Sequence, residues 1–349
     1  MRKKGRLLLK VDGKDNLMPF IRRLTYTEAV GELDGMTATL KVPAADVKKV
    51  VKLVQPGKKF TVVMYSESSK DVEREGDIIA VTHSRTGQRW TIVLVGVNYL
   101  HRLRSKHITE LWTKNHSQIV KTIAGRASPK LKAVVQGVST TADFTFQQGE
   151  TDALFLMRLA REHNYLCRVV GKELHFTRRD MSYGKAVKLD YVKDVFDVRL
   201  TANLKDHINE VNVYWGDPEK DGTKLTKLSY KKEPKAINSG GKLGCTLGKS
   251  AFGAKTATIG GFDSPLYKNQ SQAKAKAQAE LDAAAMDFLE GVVRCKGVPG
   301  AACGAKLTMK NAGWPFDGSF IITKVFQEYT YAGLKTEITF KSNSLPKEP

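Results

Sequence analysis

Gly244-Cys245-Thr246-Leu247-Gly248-Lys249-Ser250 comes closest in this chain to a known reactive motif. A phosphate loop needs glycines that bare backbone N–H groups to phosphate oxygens, a lysine for the terminal phosphates and a hydroxyl for Mg2+. This stretch is one residue short of the G-x-x-x-x-G-K-S/T spacing, no buried strand leads into it and no helix clearly follows, so it is set aside. The histidines, His83, His101, His107, His116, His163, His175 and His207, are scattered and read as surface or half-buried residues. None falls in the His-Glu-x-x-His spacing that puts two imidazoles and a base on one helix face. Cys167, Cys245, Cys295 and Cys303 form no CxxC pair, and no histidine stands near Cys295 or Cys303. Zinc is therefore not expected, and all four read as reduced and structural. Glu150 and Asp152 flank a helix start, where capping and the helix dipole explain them better than acid catalysis. No nucleophile has a recognisable base. The expectation is a non-enzyme without metal or cofactor.

Charge is the other chemical signal. Lys and Arg number 57 against 36 Asp and Glu, a formal net charge of +21, which suits a polyanionic partner. Dense places are Arg2-Lys3-Lys4, the group His101, Arg102, Arg104 and Lys106, and above all the stretch from Asp221 to Lys255. That stretch carries Lys224, Lys227, Lys231, Lys232, Lys235, Lys242, Lys249 and Lys255, the candidate contacts for a polyanion or partner protein. A solvated lysine face that aids solubility explains the same residues. No apolar run approaches the ~18 residues of a membrane span, and the basic start, with three leucines before charge resumes, is too short for a secretion signal.

The elements that must carry these residues are mainly β. Short strands are expected at Leu7–Val11, Ile21–Thr27, Thr37–Val42, Phe60–Tyr65, Asp77–His83 and Trp90–Val97, with a short helix inside Pro43–Leu53. From about residue 101 the character is mixed: Ile108–Trp112 extended, a helix capped by Ser117 and ended by Gly125 and Pro129, then Leu131–Val138 extended. Asp143 to Phe176 reads as strand, helix and β-hairpin, with Thr151 as cap, Ala153, Leu156, Met157 and Ala160 at helical spacing, and His163-Asn164 as the stop. Strands return at Val195–Thr201 and Ile208–Trp215. The lysine- and glycine-rich stretch, about 217–260, is expected to be an irregular excursion. Asn269 opens a long helix to about 290, ended by Gly291 and with Gln272 set as in a capping box. Strands at Val292–Cys295, Lys306–Lys310, Phe320–Phe326 and Lys335–Lys341 follow, and the tail from Ser344 is expected to fray.

The two β regions echo each other. Gly57-Lys58-Lys59-Phe60-Thr61-Val62 and Gly304-Ala305-Lys306-Leu307-Thr308-Met309 share the pattern Gly-x-Lys-apolar-Thr-apolar. Each is followed by a glycine-led apolar strand, from Gly76 and from Gly318, then a turn and another strand. A degenerate duplication is the simplest account. The fold expected is α+β, mainly β: two tandem related β-barrel domains, 1-100 and 191-349, separated by an α/β spacer, 101-190, with one long helix in the C-terminal half.

The wording is narrower than the pattern. Gly149-Glu150-Thr151-Asp152, with Phe155-Leu156-Met157-Arg158-Leu159-Ala160-Arg161-Glu162-His163-Asn164, resembles the E-S/T-D-x-x-F-L-x-R-L-x-x-E-x-G segment of tail hub proteins. That family includes the phage late control gene D proteins, or baseplate central hub proteins, and the hub part of type VI secretion VgrG-like spike proteins. Asn164 stands where the family has Gly, a mild departure because Asn tolerates the left-handed backbone a helix stop needs. Gly297-Val298-Pro299-Gly300, Gly304 to Leu307 and Phe316 to Val325 resemble the family's ending, although Phe326-Gln327 replaces the His usual there. The resemblance spans nearly the whole chain. It implies a homotrimeric baseplate hub of a contractile phage tail, tailocin or similar injection machine, made in the bacterial host cytoplasm. Such a hub joins a sixfold tail tube to a threefold central spike and meets baseplate wedge and tape-measure proteins. It forms a channel for DNA or cargo. As the chain ends shortly after Phe340, a needle would be a separate protein. Two other readings stay open. A basic nucleic-acid-binding protein rests on charge alone, and a hub-associated cell-wall hydrolase lacks a segment to house it.

Overall fold

The computed structural model describes residues 7–14, 17–65, 72–138, 145–179, 181, 183–216, 225–259 and 267–348. Arg2-Lys3-Lys4, Lys224 and the first two residues of the Asp143–Phe176 segment lie outside them.

The first β unit contains β1 (Leu7–Val11), β2 (Ile21–Ala29), β3 (Gly35–Pro43), α1 (Val47–Leu53), β4 (Lys59–Met64), β5 (Val72–Thr86) and β6 (Arg89–Asn98). Its strands alternate as one-sided sheets do. In β3, Met36, Ala38, Leu40 and Val42 are buried, whereas Thr37 and Lys41 face out. They join Leu7, Leu9, Leu24, Tyr26, Phe60, Ile92 and Leu94 in one core.

The spacer holds β7 (His107–Trp112), α2 (His116–Arg126), β8 (Lys132–Val135), β9 (Thr145–Thr151), α3 (Asp152–Glu162), β10 (Tyr165–Val170) and β11 (Glu173–Arg178). The strand, helix and hairpin expected from the sequence are present. Thr151 caps α3, its hydroxyl accepting the Leu154 N–H at 3.3 Å, and Asn164 takes the left-handed φ of +53°. Phe155, Leu156 and Leu159 enter a core shared with Ile119, Val120 and Ile123 of α2. The cap of α2 is not Ser117 but Asn115. Its side chain accepts the Gln118 N–H at 2.9 Å, and Gln118 returns the favour to the Asn115 N–H at 3.3 Å, a reciprocal pair that outcompetes a lone hydroxyl. Ser117 instead accepts the Val138 N–H, and Gly125 lies inside the helix.

The second β unit begins with β12 (Val187–Asp190), α4 (Tyr191–Asp194) and β13 (Val195–Ala202). An insertion follows: β14 (Glu210–Trp215), β15 (Thr226–Tyr230), α5 (Gly244–Phe252), β16 (Thr256–Ile259) and α6 (Gln270–Ala285). The unit closes with β17 (Leu289–Lys296), β18 (Lys306–Lys310), β19 (Gly318–Thr330) and β20 (Gly333–Ser342). The lysine-rich stretch is therefore not an irregular excursion where it is described. β15, β14 and β16 form a small sheet. The small side chains of Ala273 and Ala277 let α6 lie close on Val211 and Val213. The helix stops at Ala285, and Gly291 sits within β17, where a Cβ would stand 2.4 Å from the Phe340 ring. Nor does the tail from Ser344 fray: Ser344 is fully buried, and the Leu345 N–H donates to the Lys242 carbonyl at 3.0 Å. No helix among the described residues is long and apolar enough to cross a membrane.

The fold is α+β and mainly β, and the two β units are copies of one plan that share a twelve-stranded sheet. The order β1-β4-β5-β6-β3-β2 in the first half matches β12-β18-β19-β20-β17-β13 in the second. The irregularities repeat too. Between β5 and β6 the register slips after Ile78↔Gly96 to Ala80↔Val95, and between β19 and β20 after Ile322↔Phe340 to Lys324↔Thr339. Between β2 and β3 it slips from Ile21↔Leu40 to Arg23↔Thr39, and between β13 and β17 from Val195↔Cys295 to Asp197↔Arg294. Gly57 and Gly304 have φ of +86° and +85°, and their N–H groups reach the carbonyls of Ile78 and Ile322 at 2.8 and 2.7 Å. By this register Ile78 matches Ile322, so Gly76 and Gly318 are not equivalent. One strand departs: β1 runs antiparallel to β4, whereas β12 runs parallel to β18.

Candidate assembly interface

The shared sheet has one internal seam. β2 of the first unit pairs with Lys324–Thr330 of β19 in the second, antiparallel, from Lys324↔Ala29 to Thr330↔Arg23. The equivalents of these two edges are bare among the described residues. β4 covers β5 only from Val72 to Asp77, leaving the outer edge of residues 80–86 open, and β13 pairs with β17 alone. Bare edges offer rows of unpaired N–H and C=O groups to another strand. Transferring the seam's register to them sets Val81 opposite Ala202, Thr82 opposite Thr201, His83 opposite Leu200, Ser84 opposite Arg199 and Arg85 opposite Val198. Asp197 then lies opposite Thr86. Large apolar side chains stand at both edges: Ile79, at the bulge of β5, is 48% exposed, Phe196, at the bulge of β13, 58%, and Val192 of the adjoining α4 78%. The two edges are not paired with each other among the described residues. They are complementary in the way a head-to-tail interface requires.

Buried charge fixes the two units and the spacer to one another. Arg168 of β10 donates to Glu28 at 2.6 Å, to Asp34 at 3.3 Å and to the Cys303 carbonyl at 3.1 Å. Glu28 and Asp34 belong to the first unit, Cys303 to the loop before β18. Arg74 takes the other Glu28 oxygen at 2.5 Å, and Asn98 donates to the Val169 carbonyl at 3.0 Å. Burial alone would raise the Glu28 carboxyl, but Arg168 and Arg74 overcome it and hold it down to about 2. Burial wins at Asp34, where Arg168 opposes it and the Glu28 charge adds to it, raising the carboxyl to about 7.

The candidate lysines do not form one patch. Lys231, Lys232 and Lys249 line a cleft with Glu210 and Glu233, and Lys231 stands 3.5 Å from Glu210. Lys227 is exposed on β15. Lys235 is exposed, its carbonyl accepting from Asn343. Lys242 pairs with Glu348 at 3.3 Å, and Lys255 lies 4.0 Å from Asp206. In the other basic group Arg102 is committed to Asp77, both carboxylate oxygens within 2.7 Å. The stretch like a phosphate loop is itself the helix α5. Its glycines serve packing, since a Cβ at Gly244 would meet Phe288 at 2.1 Å and one at Gly248 would meet His207 at 2.4 Å.

Of the carboxylates at the start of α3, Glu150 pairs with Arg158 at 2.5 Å rather than capping the helix, and Asp152 accepts from Gln147 at 3.1 Å. The histidines are less scattered than their spacing suggests. His116, at the start of α2, and His163, just past the end of α3 and 47 residues on, meet with Nδ1 and Nε2 2.6 Å apart, and Glu162 completes a group whose ligand atoms lie within 4.8 Å of one another. The sequence sets His116 beside a helix start and His163 at a helix stop, but only the packing of the two helices on one core brings them together.

A family model described as the Alg8 N-terminal domain matches residues 34–330. Among curated proteins, none matches the sequence. The fold, by contrast, has many relatives among solved structures. The 43 kDa tail protein of prophage MuSo2 from Shewanella oneidensis superposes with a TM-score of 0.70 at 14% identity, over 97% of this chain and 98% of that one. The tail protein from Neisseria meningitidis MC58 gives 0.67 at 14% identity, over 96% and 95%. The E. coli c3393 protein, a component of the type VI secretion system with structural similarity to T4 bacteriophage tail proteins gp27 and gp5, gives 0.60 at 11% identity, over 96% and 76%. The architecture is thus that of phage tail and type VI proteins.

Proposed function

For a chain that belongs to the Alg8 N-terminal domain family and carries the fold of phage tail proteins, we propose a structural role as a homotrimeric baseplate hub. Three chains close a ring in which β13 of each copy extends the sheet of its neighbour along residues 80–86 of β5. The ring then repeats one seam six times, three times within chains and three times between them, so that three chains offer six similar surfaces to a sixfold tail tube. The threefold arrangement of the spacers and insertions is left for a central spike. One observation carries this reading: the duplicated units use one seam internally and leave its two equivalents bare. Pairing by edge strands needs no bond chemistry, so the role is architectural and not enzymatic. The hub sits in the baseplate of a contractile tail or tail-like particle, between tube, spike, wedge and tape-measure proteins, and surrounds a channel for DNA or other cargo. The net charge of +21 suits that traffic.

Cysteines placed as Thr82→Cys and Thr201→Cys in one chain test the seam. Under mild oxidation, non-reducing gels of the assembled protein should show linked dimers and trimers, which a control pair at Ser84 and Leu200 should form far less. Cross-links absent in an assembled trimer would refute the register.

A further inference from the structure

We propose that His116, His163 and Glu162 together bind a single divalent transition-metal ion of the zinc class, where the start of α2 meets the end of α3. Two imidazoles and a carboxylate are a donor set that suits zinc and its neighbours rather than Mg2+ or Ca2+, which favour oxygen alone. His116 Nδ1 and His163 Nε2 are 2.6 Å apart, and the Glu162 carboxylate lies within 4.8 Å of both. Ligand atoms around a tetrahedral zinc at ~2.0–2.1 Å stand about 3.3 Å from one another, so the three need to move by roughly an ångström or less on average.

The surroundings already orient the group. The other nitrogen of His116, Nε2, lies 3.0 Å from the Thr145 hydroxyl, the outer hydrogen bond that fixes the tautomer of a metal-binding imidazole. With Nε2–H donated to Thr145, Nδ1 turns its lone pair toward His163. His163 binds by moving its own proton from Nε2 to Nδ1, so the metal replaces a shared N–H···N hydrogen bond with no net release of protons. Burial disfavours the charged form of both imidazoles, and the neutral imidazole is the form that ligates. Burial also raises the Glu162 carboxyl, a cost that a bound cation would relieve. Two cations face the site and must yield. Arg158 lies 3.2 Å from Glu162 but keeps Glu150 at 2.5 Å, and Lys276 of α6 is paired with Glu280. Three protein ligands leave one coordination position for water. The ion would clamp two helix ends of the spacer, independently of ring closure.

The test uses the untagged, full-length protein, stripped with chelator and titrated with ZnCl2 or MgCl2 at pH 7.5. Calorimetry should find one zinc per chain, and the unfolding temperature should rise by about 4 °C when zinc reaches a hundred times its Kd, with no response to magnesium. His163→Gln and Glu162→Gln should weaken zinc binding at least 10-fold, and Thr145→Val by about 10-fold. Co2+ added to the wild-type chain gives a readout that no variant's folding can blur: intense visible bands of a tetrahedral ion are expected. No stoichiometric zinc, binding unchanged in both ligand variants, or only the pale spectrum of octahedral Co2+ would overturn the proposal.

Discussion

Replacing Arg168 by methionine removes a side chain by which the spacer touches both β units. Arg168 is 5% exposed and serves Glu28, Asp34 and the Cys303 carbonyl. Without it, among the described residues, Glu28 keeps only Arg74 and Asp34 keeps no cation within salt-bridge distance. Breaking a buried pair costs about 3–5 kcal/mol. The lower end applies, because the Asp34 carboxyl, already raised to about 7, can take up a proton near neutral pH instead of remaining as a buried charge. Urea unfolding at pH 7, followed by tryptophan fluorescence, should therefore show a loss of about 3 kcal/mol. Glu28→Gln with Arg168→Met should cost less than the sum of the two by about 1–3 kcal/mol. The pH arm has a definite sign. A carboxyl raised in the folded state binds more protons there than in the unfolded chain, so its contribution is full below about 4 and is lost as pH rises through about 7. Asp34→Asn should flatten the fall in stability over that window. A loss below about 1 kcal/mol for Arg168→Met, with no coupling to Glu28, would refute the view that this cluster joins the units.

Gly57→Ala should cost about 1–2 kcal/mol for its left-handed backbone alone, as open space surrounds it. Gly304→Ala should cost more in the same urea unfolding assay, because its Cβ would also meet Leu166 at 2.2 Å. Asn115→Ala should lower stability by about 1 kcal/mol, and Ser117→Ala by less, which chemical denaturation can rank. On a DNA column at low salt, an architectural hub should be retained weakly and without base preference. Sequence-selective retention with a steep salt slope would favour the basic nucleic-acid-binding reading. Clearing of a peptidoglycan suspension would favour the hydrolase.

Much of the fold was legible because it rests on local rules. Alternation placed β18 at Lys306–Lys310 to the residue, and a cap, a 3.6-residue period and an Asn stop placed α3. What failed was decided by tertiary contact. Gly125 and Gly291 look like breakers, yet the first is carried by the helix around it and the second makes room for Phe340. The insertion looked irregular because Leu228, Tyr230 and Ile259 are only half-buried, their sheet completed by alanines of a distant helix. The echo of Gly57 and Gly304 revealed the duplication, but no sequence pattern could show that the copies share a sheet, since strand neighbours across the seam lie some three hundred residues apart. The lysines were visible as a run and not as a surface, because charge in sequence does not specify which carboxylates fold back against it. The meeting of His116 and His163 needed the packing of α2 on α3.

The trimer itself is the claim on which the account stands, and light scattering behind size-exclusion chromatography measures it most directly. The chain is run alone and together with a candidate central-spike protein. A complex containing three 38.7-kDa chains is expected, which Leu200→Pro, a block on the β13 edge, reduces to monomer while near-ultraviolet dichroism stays native. A chain that remains monomeric with its spike, or a trimer indifferent to the blocked edge, would contradict it.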